Sequence, residues 1–404
     1  MELNDTGSHA RHKGRVLYVG QNLSHAWHLS RALRKLGWKA DVLNWDQAEQ
    51  NQIFYDGEDF RLRFGQSTLL NLLRNLKFYA RSLSNYDIFH FSNAHGMHFG
   101  SPLHSFCSKH FGDYSEVKLL KRFPWRKKTI YSTNGCLDGC SQTSFSRWGP
   151  INTCSICKWR DDPAVCSDER NLAWGKIRNS LADYVVTFDY SPTDYNIAPN
   201  VHVVPEFYCM DHLQWTPDLL IPANYRLPFS EDTVKIYHSV GNFESRTDAV
   251  NHQNLKCTHI YLPLVDRLKR EGYKVELTFF HDVPHRKVRY YQAQADIVVD
   301  MLTTGWFGAN VREAMMLGKP AVCFLRPEWM DNMRKQVPGY AEELPVVSAT
   351  PETVYDVLKD LIENPEKRRE IGARSRKFAV KWHSAEAGAR RFDQIYSELL
   401  QRNR

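Results

Sequence analysis

The 404-residue chain contains no uninterrupted apolar run close to the ~18 residues that a membrane-spanning helix needs. Its opening stretch, MELNDTGSHARHKGR, has no apolar core of the kind a secretory signal carries. A cytoplasmic protein is therefore expected, at most held peripherally on the inner face of a membrane. Charge of one sign is scarce as well. Fifty-three Lys and Arg against 46 Asp and Glu leave +7, which suits an anionic ligand or an anionic lipid surface and is too little to imply nucleic acid. The recognition-helix and RNA-module patterns that would argue for a nucleic-acid partner are missing too. Short-period repeats are absent as well.

What is there reads as a globular chain, 42% hydrophobic and 25% charged. Its length exceeds what one core usually organises, so two domains of roughly 200 residues are expected. RVLYVG (15–20) is a strand-like run ending at Gly20, SHAWHLSRALRKLG is an amphipathic helix closing on Gly37, and KADVLNW is strand-like again. This order opens a parallel βαβ sheet. Further strands are predicted at 86–91, 128–132, 183–188 and 201–204. The alternation pauses after Pro205 in a proline-rich, aromatic stretch and restarts with VKIYHSV at 234–240. KVELTFF, ADIVVD, AVCFL and PVVSA follow as strands, with a helix near 287–294 and a wholly helical tail. The fold class read from this is α/β, with two doubly wound Rossmann-like domains facing a cleft. Residues 1–205 form the first domain, with a Cys-rich insertion at 136–166; 206–385 form the second. A final helix, 386–404, is free to pack back on the first domain.

Ligands of doubly wound sheets bind beyond the carboxyl ends of strands, where a loop meets a helix N-terminus. GWFGANVREAMMLGKP (305–320) has that form. Gly305 and Gly308 permit close backbone approach, and a helix beginning near Val311 turns its free N–H groups toward the cleft, where a diphosphate would fit. Glu313 also has a purely structural reading. With Asn310 as N-cap it falls at the third helical position, the partner in a capping box. The two roles are compatible.

GWFGANVREAMMLGKPAV resembles the donor-site signature of glycosyltransferases of the GT-B fold, family 4 (group 1) type, typically E-G-F-G followed after a few residues by E-A-M-A-x-G-x-P-V-V. The similarity runs upstream through ADIVVDMLTTG and LKCTHIYLPLVDRLKREGYKVEL, and downstream through ENPEKRREIGARSRKFAVKWHS. It implies that the loop and helix start, Gly305, Trp306, Phe307, Gly308, Ala309, Asn310 and Val311, surround a nucleotide-sugar donor, UDP- or GDP-linked, and that Glu313 grips the ribose hydroxyls. The family's first glutamate falls on Gly305, a departure that bears on the donor sugar; Asp300, at the preceding strand end, is placed to supply a carboxylate instead. The family's Arg and Lys pair, which stabilises the leaving diphosphate, corresponds to Arg246 and Lys256, with Cys257 where a glycine is usual. The family's His-Gly after the fourth strand becomes Asn134 and Gly135.

No Asp-x-Asp occurs in the chain, so basic groups rather than a catalytic metal are expected to neutralise the leaving group. By resemblance, transfer proceeds with retention and without a dedicated nucleophile, to a glycan or lipid-linked acceptor in surface polysaccharide synthesis. His95 and His25 follow first-domain strands and are candidates to line the cleft; packed histidines are the other reading, since the chain has 17. A nucleotide-sugar epimerase and a non-catalytic nucleotide-sugar binder are the alternative functions.

Two further features stand apart from that motif. Cys136, Cys140, Cys154, Cys157 and Cys166 crowd one segment. Cys154 and Cys157 form a C-x-x-C knuckle that Cys140 and Cys166, with Cys136 as alternate, would complete as a structural tetrahedral zinc site; free thiols or a redox pair are the other readings. Residues 60–86 hold five Arg or Lys and no acid among leucines and aromatics, and KRFPWRKK follows at 121–128. Such a segment is either a core helix with a solvated face or a helix that lies on an anionic bilayer.

Overall fold

The computed structural model describes residues 12–21, 23–44, 57–62, 69–92, 96–97, 102–133, 135–136, 138–188, 193–248 and 250–402. Seven strands, β1 (Arg15–Val19), β2 (Lys39–Asn44), β3 (Phe60–Arg61), β4 (Ile88–Phe91), β5 (Lys128–Ser132), β6 (Tyr184–Thr187) and β7 (Val201–Val203), form one sheet in the order β3-β2-β1-β4-β5-β6-β7. Five more, β8 (Val234–Val240), β9 (Val275–His281), β10 (Ile297–Val299), β11 (Ala321–Cys323) and β12 (Val347–Ser348), form a second in the order β12-β11-β10-β8-β9. Every pairing is parallel. Val16, Leu17, Tyr18 and Val19 expose no surface, because helices cover both faces of a parallel sheet. This is why the strands read as continuous apolar runs rather than as alternating ones.

The helix His25–Lys35 ends where Gly37 takes φ +90°, with Gly37 N–H donating to Arg34 O and Trp38 N–H to Leu33 O. β3 has no counterpart in the sequence reading: it is a two-residue edge strand, exposed on both residues, and carries no apolar signal. The helical tail is three helices, Val354–Glu363, Pro365–His383 and Ala385–Gln401. Pro365 starts the second, and the Ser384 side chain caps the third by accepting from Ala387 N–H.

The last helix packs on the first sheet's domain. Asp393 accepts from Trp38 Nε1 at 2.7 Å and pairs with Lys13 at 3.0 Å, while Tyr396 OH donates to Tyr18 OH at 2.8 Å. The carboxyl ends of the two sheets face each other: Phe188, just past β6, accepts at its carbonyl from Trp329 Nε1 at 3.0 Å and packs edge-on against Phe307 at 5.3 Å.

Candidate active site

The second sheet reverses its winding between β8 and β10, the place where such sheets leave a crevice beyond the strand ends. Asp300, the residue after β10, is fully buried there, and its Oδ1 accepts from Lys256 Nζ at 2.6 Å. Lys256 comes from the loop after β8, where Asn254 Oδ1 accepts its backbone N–H. Cys257 then caps the helix Thr258–Arg270 at φ +62°, a left-handed conformation that glycine adopts without strain. That explains the glycine expected at this position, and the thiol is pushed up to about 12 by burial. Arg246, half-buried at the end of the short helix Phe243–Arg246, has its pKa lowered by desolvation and feels the opposing pull of Asp300 and Asp282. The loop thus brings both expected cations toward Asp300.

Lys256 Nζ lies 3.5 Å from where a Cβ on Gly308 would stand. Gly308 is the N-cap of the helix Ala309–Met316, so the ammonium sits against the positive end of that helix. A buried carboxylate keeps this concentration of positive charge compact, and an incoming anion can compete for the same cation. The helix starts two residues earlier than the capping-box reading requires, and no side chain caps it. Asn310 lies inside it and accepts instead from Gln292 Nε2 at 2.6 Å and Ser239 Oγ at 3.1 Å. Glu313 is therefore past the first turn, and the capping-box role is corrected. Its carboxylate is buried, with Oε1 3.2 Å from His285 Nε2 and Oε2 accepting from Gln292 Nε2 at 3.3 Å. A fixed, buried carboxylate of this kind is suited to holding a pair of hydroxyls.

Gly305 takes φ +85°, its carbonyl accepts from Arg326 N–H at 2.8 Å, and a Cβ there would meet Arg326 Cβ at 2.5 Å. A glutamate at this position is excluded by both geometry and space. Arg326 follows β11, is buried, and lies 4.3 Å from the Trp148 ring centre, its pKa lowered to about 10 by that burial. Trp148 belongs to the Cys-rich insertion. Phe145 and Trp148 both stand edge-on to Trp306, at 5.5 and 5.6 Å, and Gly149 presses so tightly on the loop after β10 that a Cβ would fall 1.7 Å from Thr303 O. The insertion is therefore a wall of the cleft as well as part of the first domain.

The remaining candidates divide. Trp306, Phe307 and Val311 are buried hydrophobic residues, placing their side chains in the core rather than in an open pocket. His25 is buried too, with Nδ1 2.9 Å from Cys209 O, and burial followed by the nearby Arg312 holds its pKa well below the usual histidine value. His95 and Asn134 lie outside the described residues. Burial raises the thiols of Cys136, Cys154 and Cys166, and the neighbouring Cys157 adds to the rise in each. Cys140 faces Asn196, whose Nδ2 donates to its sulfur at 3.1 Å. Among the described residues, no three His, Cys, Asp or Glu side chains are arranged to hold a metal ion.

Sequence reasoning missed His285, Gln292, Arg326 and Trp148. Arg326 had a signal, an arginine closing the apolar run AVCFL. The others had none, because their positions depend on how separate segments meet.

Residues 262–378 match the family model described as "Glycosyl transferases group 1". No curated protein sequence matches the chain. Among solved structures, sucrose-phosphate synthase from Thermosynechococcus elongatus superposes with a TM-score of 0.57 at 15% identity, over 96% of this chain and 99% of that one. The Anabaena protein HepE, solved with UDP and glucose, superposes with a TM-score of 0.55 at 14% identity, over 96% and 100%. An alpha-glucosyltransferase, solved with UDP and a 13-mer DNA, gives 0.57 at 8% identity, over 95% and 99%. Residues 262–378 are thus similar to group 1 glycosyl transferases, and the chain as a whole has the GT-B fold.

Proposed function

We propose that the protein transfers a glycosyl group from a nucleoside-diphosphate sugar, with UDP as the favoured nucleotide, to a glycan or lipid-linked acceptor. One observation carries this reading: Lys256, the amino end of the helix Ala309–Met316 and the buried Glu313 lie on one short stretch of the crevice. The diphosphate would meet the ammonium, Arg246 and the helix amides, and Glu313 would accept from the ribose hydroxyls. UDP or UDP-glucose is bound in HepE, and UDP in the alpha-glucosyltransferase. The preorganised cations would stabilise charge developing on the leaving phosphate, so that departure and attack occur on one face of the sugar with retention and without a catalytic metal. Gly305 and Arg326 would give the sugar subsite a cationic rim, with Trp148 above it. A role in surface polysaccharide synthesis is part of the same proposal.

The test is incubation of the chain with a panel of UDP- and GDP-sugars, reading release of free nucleoside diphosphate with and without chelator. Slow, chelator-insensitive release from one donor class is expected. No release and no thermal stabilisation by any donor would overturn the proposal.

A further inference from the structure

The helix Leu69–Asn85 packs on the core through Leu72, Phe78, Tyr79 and Leu83 but leaves four of its six leucines outside. Its buried residues are Asn75, Tyr79, Ser82 and Leu83, with Tyr79 OH donating to Glu116 O at 2.6 Å and Ser82 Oγ to Phe78 O at 2.8 Å. Leu69, Leu70, Leu73 and Leu76 are 73, 57, 54 and 38% exposed. Arg74, Lys77 and Arg81 share the exposed side, and the helix contains no acid. The neighbouring helix Pro102–Phe111 packs beside it, is likewise free of acids, and exposes Phe106 and Phe111. Past the next helix, Ser115–Lys121, Phe123 projects with Arg126 5.4 Å from its ring.

A leucine row beside cations, with no anion, rules out some occupants on charge alone. A second copy would set the same three cations against themselves, and a basic partner would be repelled. An anionic bilayer satisfies both features, taking the leucines below the headgroups and the cations among them. We propose that the face formed by Leu69, Leu70, Leu73, Leu76, Arg74, Lys77 and Arg81 docks the first domain onto an anionic lipid surface. No described helix is long and apolar enough to cross a membrane, so the contact is peripheral. This goes beyond the transfer reaction and stands independently of which donor is used.

The test is co-sedimentation of the full chain with phosphatidylcholine vesicles, with and without about one third phosphatidylglycerol, at low and high salt. Binding confined to the anionic vesicles and weakened by salt is expected. Neutralising Arg74, Lys77 and Arg81 with glutamine should weaken binding by about fivefold per cation. The combined variant Leu69→Ser/Leu73→Ser/Leu76→Ser should abolish it. Both variants alter exposed side chains only, so their melting temperatures and nucleotide affinity should match the parent. Equal binding to neutral vesicles, absence of binding, or unchanged binding by both variants would overturn the proposal. So would a concentration-dependent dimer that the leucine variant dissolves, since a second copy would then own the face.

Discussion

Replacing Lys256 with methionine keeps most of the side chain's length and removes the ammonium, which separates the structural role of the Lys256–Asp300 pair from its binding role. Asp300 is fully buried, and Lys256 is the described hydrogen-bond partner of its carboxylate; Oδ2 has none. Breaking a buried pair from one side costs about 3–5 kcal/mol, because the remaining charge keeps its desolvation penalty. At about 2–4 °C per kcal/mol, the second domain should melt roughly 6–20 °C lower in Lys256→Met. The double variant Lys256→Met/Asp300→Asn removes the stranded charge and should recover most of that loss, giving a large coupling in a double-mutant cycle. Affinity should behave differently. A lost charge-assisted hydrogen bond to phosphate is worth about 1.5–3 kcal/mol, so UDP should bind roughly ten- to a hundredfold more weakly to both variants. Calorimetric unfolding and titration with UDP provide the two readings. A single variant that melts like the parent, or a double variant that binds UDP normally, would refute the reasoning.

Gly149→Ala places a methyl on a backbone oxygen, and neither partner is a flexible side-chain end. The insertion and the loop after β10 must part by roughly 2 Å, costing about 1–3 kcal/mol and sensitising the insertion to protease, and an unchanged melt and digest would contradict the wall. Glu313→Gln retains volume and hydrogen-bonding capacity, so it should leave stability nearly unchanged while weakening UDP binding about tenfold; equal affinity in calorimetry would remove Glu313 from the pentose site. His90, His238 and His383 are buried neutral, with pKa values lowered by burial to about 3, about 4 and about 3. Their folded-state values lie below the unfolded value near 6.5. The stability they contribute is thus complete above that pH and is lost as pH falls toward 3–4. Each group contributes a slope of up to about 1.4 kcal/mol per pH unit, so denaturant midpoints should drop steeply between pH 6.5 and 5, and a flat profile would contradict it.

Much of the architecture was legible because parallel strands buried on both faces leave unbroken apolar runs: β1, β5 and β8 fall at 15–19, 128–132 and 234–240, in agreement with the pattern. β3 was not legible, since two exposed residues paired only to β2 carry no periodicity. At the candidate site, Lys256 and Glu313 were picked out by the family resemblance, and Asp300 by its position at a strand end. The N-terminus of the helix Ala309–Met316 was misplaced by two residues. A cap of Gly308, extended at φ −95°, offers no side-chain signal, whereas Asn310 looks like a cap and is used by Gln292 and Ser239. The glutamate missing at 305 makes sense only in three dimensions, where Arg326 fills the space and the insertion closes over it.

A crystal of the chain grown with UDP tests the central claim most directly. The pyrophosphate is expected between Lys256 and the amides at the start of the helix Ala309–Met316, with both ribose hydroxyls on Glu313. Nucleotide bound elsewhere, or a crevice left without nucleotide at saturating UDP, would contradict it.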